Sequence, residues 1–253
     1  MTIASPRSVA CSRCRQENQV ETNESITSHD RLLRDRLMSG AFWTWRCTQC
    51  SHENRTIYPL LYHDMRAWCL IYYLDREITE DPNVIARMVP APDQLTALRR
   101  FNATYRFRLC RALDDFMEKI RLLDAGLDDR AVEYLKLDAR EKTQGLDGRF
   151  ERLTEGEPTT LGFGPQSAPL EIPFSAYSAA LVKIKERLGD ETDPNSGFVI
   201  VDRSYIEQRF PETVPRPKAA SAPREAPATT MGSVVFGKGA SSDTARKPWW
   251  RFW

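Results

Sequence analysis

The chain has 253 residues, of which 41% are hydrophobic and 28% charged, and its formal net charge is +1. These proportions are ordinary for a soluble globular protein, and the length allows one sizeable domain or two small ones. The longest apolar run, residues 67–74, is far shorter than the roughly 20 residues of a membrane-spanning helix. Residues 1–10 show no signal segment with a charged start and an apolar core, so we expect a cytoplasmic protein.

Two Cys-x-x-Cys pairs, Cys11/Cys14 and Cys47/Cys50, lie in the first fifth of the chain. Two thiolates three positions apart on a tight turn can bind one metal ion at about 2.3 Å, and a second such turn completes a tetrahedron. The pattern predicts a structural Zn²⁺ site with these four cysteines as ligands. A redox pair would need to begin a helix in a βαβ unit, and disulfides would need an oxidising compartment. These uses, and unconnected thiols, remain the alternatives.

The two pairs are separated by 32 residues, whereas compact zinc ribbons have roughly 15 to 20. The insert must therefore carry structure of its own. Its pattern predicts a strand over 19–26, a helix capped within 28–30 and ended by Gly40, and a strand over 42–45 that leads to Cys47. Together these elements indicate a zinc-ribbon-like β module with an inserted helix.

A hairpin is predicted after the second pair, with strands over 56–62 and 67–74 and a turn at His63 and Asp64. Three prolines, Pro82, Pro90 and Pro92, then indicate an irregular connection. We expect a domain boundary near residue 90, so that residues 1–90 form the zinc-binding module.

Residues 93–140 predict a helical hairpin. One apolar stripe recurs every three or four residues: Leu98, Phe101, Tyr105, Leu109, Leu113, Phe116, Ile120 and Leu123. Gly126 would end this long helix, and Asp128 would cap a second, shorter one. A stripe this narrow could pack on the second helix or form a coiled-coil seam, which would make a homodimer through helix 93–125.

Residues 146–172 predict a small β-hairpin, followed by a helix that Gly189 ends and a strand over 198–201. With the helical hairpin they would form an α+β C-terminal part over residues 91–210. From residue 211 the chain is rich in Pro, Ala, Ser and Thr, which cannot build a core. We expect residues 211–253 to be a disordered linker that carries a terminal motif.

This terminal motif combines four aromatic residues with cations: Trp249, Trp250, Arg251, Phe252 and Trp253 follow Arg246 and Lys247. Such a group predicts a binding function, because clustered exposed aromatics need an explanation. Docking into a partner protein is favoured, since Trp and Arg carry most of the energy in small interfaces. A membrane interface and stacking on single-stranded nucleic acid are the alternatives.

No catalytic constellation is evident. His29, His52 and His63 are scattered, and the remaining thiols, Cys69 and Cys110, fall in apolar segments that predict burial. The acidic pairs 114–115 and 128–129 are consecutive on a helix and cannot share a proton, so we interpret them as a solvated face and a helix cap. The chain also has no phosphate-binding glycine loop. An enzyme is therefore not expected, and a hydrolase is only a third alternative.

The motifs resemble the CpXC domain of bacteria and archaea. The resemblance rests on the two cysteine pairs, on the segment 58–64 and on the residues 118–130, and it covers roughly residues 9–210. The resemblance implies a metal-binding fold but does not imply any enzymatic reaction. This chain differs from the family pattern, because Ser12 and Thr48 stand where proline is usual and Arg15 and Ser51 where glycine is common.

We therefore expect a zinc-stabilised α+β protein that acts as an adaptor through its aromatic C-terminal motif. The alternative is a nucleic-acid-associated zinc ribbon. Residues 1–90 hold 11 basic and 11 acidic side chains, which argues against it, because nucleic-acid binding depends on clustered basic residues.

Overall fold

The computed structural model describes residues 3–90, 92–143, 148–154, 159–164, 170–190 and 197–213. The strands are Ile3–Ala10 (β1), Glu17–Thr27 (β2), Thr44–Arg46 (β3), Glu53–Arg55 (β4), Leu60–Asp64 (β5), Cys69–Tyr73 (β6), Arg106–Cys110 (β7), Phe150–Leu153 (β8), Thr160–Phe163 (β9) and Leu170–Pro173 (β10). The helices are Arg31–Met38 (α1), Pro82–Met88 (α2), Pro92–Phe101 (α3), Leu113–Asp124 (α4), Asp129–Thr143 (α5), Phe174–Leu188 (α6) and Arg203–Arg209 (α7). The expected α+β class is confirmed.

The largest sheet has five strands in the order β1-β2-β5-β6-β7. Pairing is antiparallel between β1 and β2 and between β5 and β6, and parallel between β2 and β5 and between β6 and β7. Strand β6 is almost continuously apolar because both of its faces are buried. Cys69, Ile71 and Tyr73 face α4, whereas Leu70 packs with Phe107 on the other side.

The insert between the cysteine pairs largely matches its prediction. Strand β2 covers the expected residues 19–26, and Asp30 caps α1 by accepting a hydrogen bond from the Leu33 backbone N–H at 3.2 Å. Gly40 follows α1 with φ +77°, the left-handed conformation that favours glycine. The strand expected over 42–45 is partly wrong, because Ala41–Trp43 form a 3-10 turn and β3 begins only at Thr44.

The hairpin after the second cysteine pair is confirmed as β5 and β6. Its turn begins two residues later than expected, since His63 and Asp64 still belong to β5. Asp64 shapes the turn by accepting hydrogen bonds from the backbone N–H groups of Arg66 and Ala67 at 2.8 and 2.9 Å. The His63 ring instead contacts the Tyr105 hydroxyl, with 2.6 Å between Nε2 and Oη.

The single long helix expected over 93–125 is wrong, because β7 separates α3 from α4. Asn102 interrupts the helix by accepting hydrogen bonds from the Thr104 backbone N–H and hydroxyl. Residues 105–110 also alternate between apolar and basic side chains, and pairing with β6 selects this strand pattern over the helical one. Phe101, expected inside the helical stripe, is 76% exposed. The proposed coiled-coil seam is therefore not continuous.

The second part of the helical prediction is confirmed. Gly126 follows α4 with φ +67°, and Asp128 caps α5. Helix α4 covers the main sheet with Phe116 and Ile120, while Leu122 belongs to a second core that it shares with α5 and α6.

The C-terminal part differs from its prediction in two strands and in the helix α7, which was not predicted. The hairpin expected over 146–172 is a three-stranded antiparallel sheet in the order β10-β9-β8. Helix α6 ends before Gly189 as expected. The strand expected over 198–201 is reduced to one bridge, in which Val199 pairs with Arg108 of β7.

All of these elements belong to one compact unit, Met1–Pro215. The division expected near residue 90 stays a prediction, although the main sheet takes strand β7 from beyond it. Except for the short 3-10 turn Pro211–Thr213, the linker expected from residue 211 and the aromatic terminal motif lie outside the described residues.

Candidate metal centre

The four cysteines of the two pairs meet at one point. The turn between β1 and β2 carries Cys11 and Cys14, and the turn between β3 and β4 carries Cys47 and Cys50. All four sulfur atoms lie within 4.8 Å of one another. Residues that are 33 or more positions apart in sequence are thus brought together by two tight turns that face each other.

The distances between sulfurs of different turns fit a single metal ion. Cys11 Sγ lies 3.7 Å from Cys50 Sγ, and Cys14 Sγ lies 3.6 Å from Cys47 Sγ. Four thiolates at about 2.3 Å from a central ion would be separated by about 3.8 Å at the corners of a tetrahedron. All six cysteines are free thiols, and neither pair begins a helix. The residues present therefore fit a four-thiolate metal ion better than a disulfide or a redox pair.

Both turns have the same backbone geometry. Arg15 N–H donates to the Cys11 carbonyl and Ser51 N–H to the Cys47 carbonyl, each at 3.0 Å. Arg15 and Ser51 adopt φ values of +64° and +54°. This left-handed conformation costs a non-glycine residue roughly 1–2 kcal/mol, which explains why glycine suits these two positions.

Two asparagines connect the turns crosswise. Asn54, which follows the second turn, donates from Nδ2 to Cys11 Sγ at 3.6 Å and accepts from the backbone N–H and hydroxyl of Ser12 at 2.9 and 2.8 Å. Asn18, which follows the first turn, makes the equivalent contacts with Cys47 Sγ at 3.6 Å and with the N–H and hydroxyl of Thr48, both at 2.9 Å. Both asparagines are buried.

This arrangement explains the residues that stand where proline is usual. Proline has no N–H and no hydroxyl, whereas Ser12 and Thr48 each donate from both groups to an asparagine oxygen. These Ser/Thr and Asn positions can be recognised in the sequence as an internal repeat. Residues 11–18 and 47–54 both follow the pattern Cys-Ser/Thr-x-Cys-x-x-Glu-Asn. Aligning the two cysteine pairs with each other would have revealed both asparagines.

The electrostatics of the cluster favour thiolates at its two buried sulfurs. A backbone hydrogen bond from Cys14 outweighs the effect of burial and lowers the pKa of Cys11 to about 6. A backbone hydrogen bond from Cys50 lowers the pKa of Cys47 in the same way. At Cys14 a backbone hydrogen bond from Gln16 acts in the same direction, but burial and the other sulfurs outweigh it and raise the pKa to about 12. The asparagine amides thus donate to Cys11 and Cys47, the two thiols whose pKa is lowered.

The remaining histidines and thiols are not part of this cluster. His52 contributes its backbone carbonyl, which accepts from Cys47 N–H at 3.0 Å and from Asn54 Nδ2 at 2.9 Å. Cys69 and Cys110 are buried, as expected, and burial raises the pKa of the Cys110 thiol. Both belong to the core between the main sheet and α4.

The acidic pair 128–129 does more than form the expected helix cap. Asp128 caps α5 as predicted, but Asp129 is only 6% exposed and accepts two hydrogen bonds from Arg108, at 2.7 and 2.9 Å. Lys119 Nζ lies 3.1 Å from the same carboxylate. Because Arg108 belongs to β7, a strand whose apolar spacing predicts a helix, the sequence does not reveal this buried ion cluster. Asp114 is largely exposed, as predicted.

The fold and the cysteine cluster define an α+β protein with a four-thiolate site that could bind a metal ion. The family model for CpXC proteins matches residues 9–136, about half of the chain, and the chain belongs to this family. The match includes both turns and the ion cluster, and it ends within α5, short of the residue 210 to which the resemblance was expected to extend. No curated protein and no solved structure matches the chain.

In the part of the chain that the structure describes, none of the helices combines the length and the apolar character needed to cross a membrane.

Proposed function

We propose that the cysteine cluster is a closed, structural Zn²⁺ site. The observation that carries this proposal is the pair of sulfur separations across the two turns, 3.7 and 3.6 Å, which match the edges of a zinc–thiolate tetrahedron. With four protein ligands the ion would have no open position for substrate. The bound ion would supply cross-linking rather than Lewis-acid chemistry.

The position of the site defines what it would stabilise. One turn connects the edge strand β1 of the main sheet to its neighbour β2, and the other connects β3 and β4 of the two-stranded sheet. A metal ion would fix the small sheet against the end of the large one. Phe42 and Trp43 lead into β3 and are buried in the main core, so the cross-link would also hold this edge of the core closed.

The zinc assignment is tested on the full chain by elemental analysis and thermal unfolding. We expect one zinc ion per chain, and Cys47→Ser should lose it and lower the melting temperature of the N-terminal elements, because structural zinc contributes roughly 10 kcal/mol or more to the folding of small domains. Gln49→Ala, at an exposed position in the same turn, is the matched control. A Cys47→Ser variant with unchanged zinc content and unfolding would refute the assignment.

We further propose that the chain works as an adaptor that docks on another protein through residues 249–253. Support comes from composition, since three tryptophans, one phenylalanine and one arginine are joined to the folded unit by a long segment rich in Pro, Ala and Ser. Trp and Arg are enriched among the residues that dominate binding energy in protein interfaces.

A pull-down with the full chain and with a chain that ends at residue 245 tests this role. The partner should be retained only by the full chain, and a synthetic peptide of residues 246–253 should release it. The same peptide with its three tryptophans replaced by alanine is the matched control and should release nothing. Retention by both chains, or binding of the peptide to lipid vesicles with no protein captured, would contradict the adaptor role.

A further inference from the structure

A second, independent feature is a cavity of about 250 Å³ bounded by the end of β7, which is the opposite edge strand of the main sheet from β1, and by α4, α5 and the start of α7. Six basic side chains line it, against four acidic ones among the described residues. The basic residues are Arg76, Arg111, Lys119, Lys136, Arg149 and Arg203.

Most of these charges are already compensated. Lys136 Nζ contacts Glu118 at 2.7 Å, and Arg149 contacts Asp115 at 2.9 Å. Lys119 belongs to the Asp129 ion cluster, and Arg203 pairs with Glu207 along α7. Among the described residues, Arg76 and Arg111 form no ion pair.

Arg111 is the unusual residue of this set. It is only 7% exposed, yet its guanidinium donates just one hydrogen bond to a described residue, from Nη2 to the Thr79 carbonyl. Its Nη1 is buried and has no hydrogen-bond partner in the described part of the chain. Burial and the neighbouring charge of Arg76 lower the pKa of Arg111, and the carboxylates of Glu80 and Asp75 offset only part of this effect. A buried guanidinium N–H group without a hydrogen-bond acceptor is costly.

We propose that this cavity binds a small phosphate-bearing molecule, held by Arg111 and Arg76. An oxyanion there would supply the missing hydrogen-bond acceptor for Arg111 and would relieve the repulsion between the two arginines. The guanidinium group offers paired N–H donors that match the oxygens of a phosphate.

The size of the cavity favours a small ligand. At about 250 Å³ it is smaller than the roughly 300–1,000 Å³ of sites for drug-sized molecules. The ion pairs of Lys136, Arg149 and Lys119 also hold the surrounding walls in place, so a ligand would enter a site whose polar groups are largely preorganised. This proposal is independent of the zinc assignment, because no cysteine of the cluster lines the cavity.

Isothermal titration of the zinc-replete full chain with inorganic phosphate, at constant ionic strength set with chloride, tests the proposal. We expect saturable binding that Arg76→Gln and Arg111→Gln each weaken at least tenfold. Arg152→Gln, at an exposed arginine that does not line the cavity, is the control and should bind as the unchanged chain does. Because Arg76 is exposed, its variant should fold even if the Arg111 variant does not.

Three results would overturn the proposal. They are the absence of saturable heat with phosphate, equal binding by the Arg76→Gln variant, and tighter binding of succinate or of an oligothymidylate than of phosphate. Zinc content measured on the same samples separates these results from a failure of the cysteine site.

Discussion

The crossed asparagines lead to a quantitative prediction. Asn54→Ala removes the Nδ2 donor to Cys11 Sγ and the oxygen that accepts from both donors of Ser12. Residues that support metal ligands in this way typically change metal affinity by 10–100-fold, or about 1.4–2.7 kcal/mol. Because Asn18 makes the equivalent contacts with Cys47 and Thr48, Asn18→Ala should weaken binding by a similar factor.

Asn54→Asp is the sharper variant. It retains the size of the side chain and its acceptor oxygen for Ser12, but it replaces the amide donor to Cys11 with a negative charge beside a thiolate. We therefore expect it to bind zinc at least as weakly as Asn54→Ala, which a purely steric role would not produce.

Competition of the full chain with a chromophoric zinc chelator measures these affinities, and circular dichroism of the loaded samples shows whether they are folded. Gln49→Ala controls for substitution within the turns. If the folded Asn54→Ala and Asn54→Asp variants hold zinc as tightly as the Gln49→Ala control, the proposed support of the thiolates by asparagine is wrong.

Two further predictions concern stability. Arg15→Gly and Ser51→Gly should each raise the free energy of unfolding by about 0.5 kcal/mol, because relief of left-handed strain exceeds the entropic cost of glycine. Urea unfolding measures this, and a lower free energy of unfolding in both variants would contradict the prediction. Asp129→Asn should cost about 3–5 kcal/mol, since it removes the buried carboxylate that Arg108 and Lys119 share and leaves Lys119 with Glu133 at 3.7 Å. Although burial alone would raise the pKa of Asp129, Arg108 and Lys119 hold it well below its usual value. The stabilisation by ionised Asp129 is therefore complete above about pH 4, the pKa of an unfolded aspartate, and is lost as the pH falls further. Urea unfolding between pH 7 and pH 3 should show a larger loss of stability in the unchanged chain than in the Asp129→Asn variant.

The local features of this protein were predictable where short-range chemistry decides them. The Cys-x-x-Cys turns, the Asp30 cap of α1 and the glycines after α4 and α6 each depend on residues within a few positions of one another. Turns and caps of this kind can be predicted from sequence because each is stabilised mainly by its own backbone and nearest side chains.

The sequence by itself thus determined the four cysteines of the candidate metal site, the α+β class and the helices α1, α5 and α6, whereas α2, expected as an irregular connection, and α7 were not predicted. Only the tertiary structure decided that residues 106–110 form a strand, because pairing with β6 stabilises the extended form over the helix that their spacing also allows. The burial of Asp129 follows from that strand, which places Arg108 opposite it. The crossed contacts of Asn18 and Asn54 likewise require the two turns to meet, and that contact joins residues about 30 to 40 positions apart.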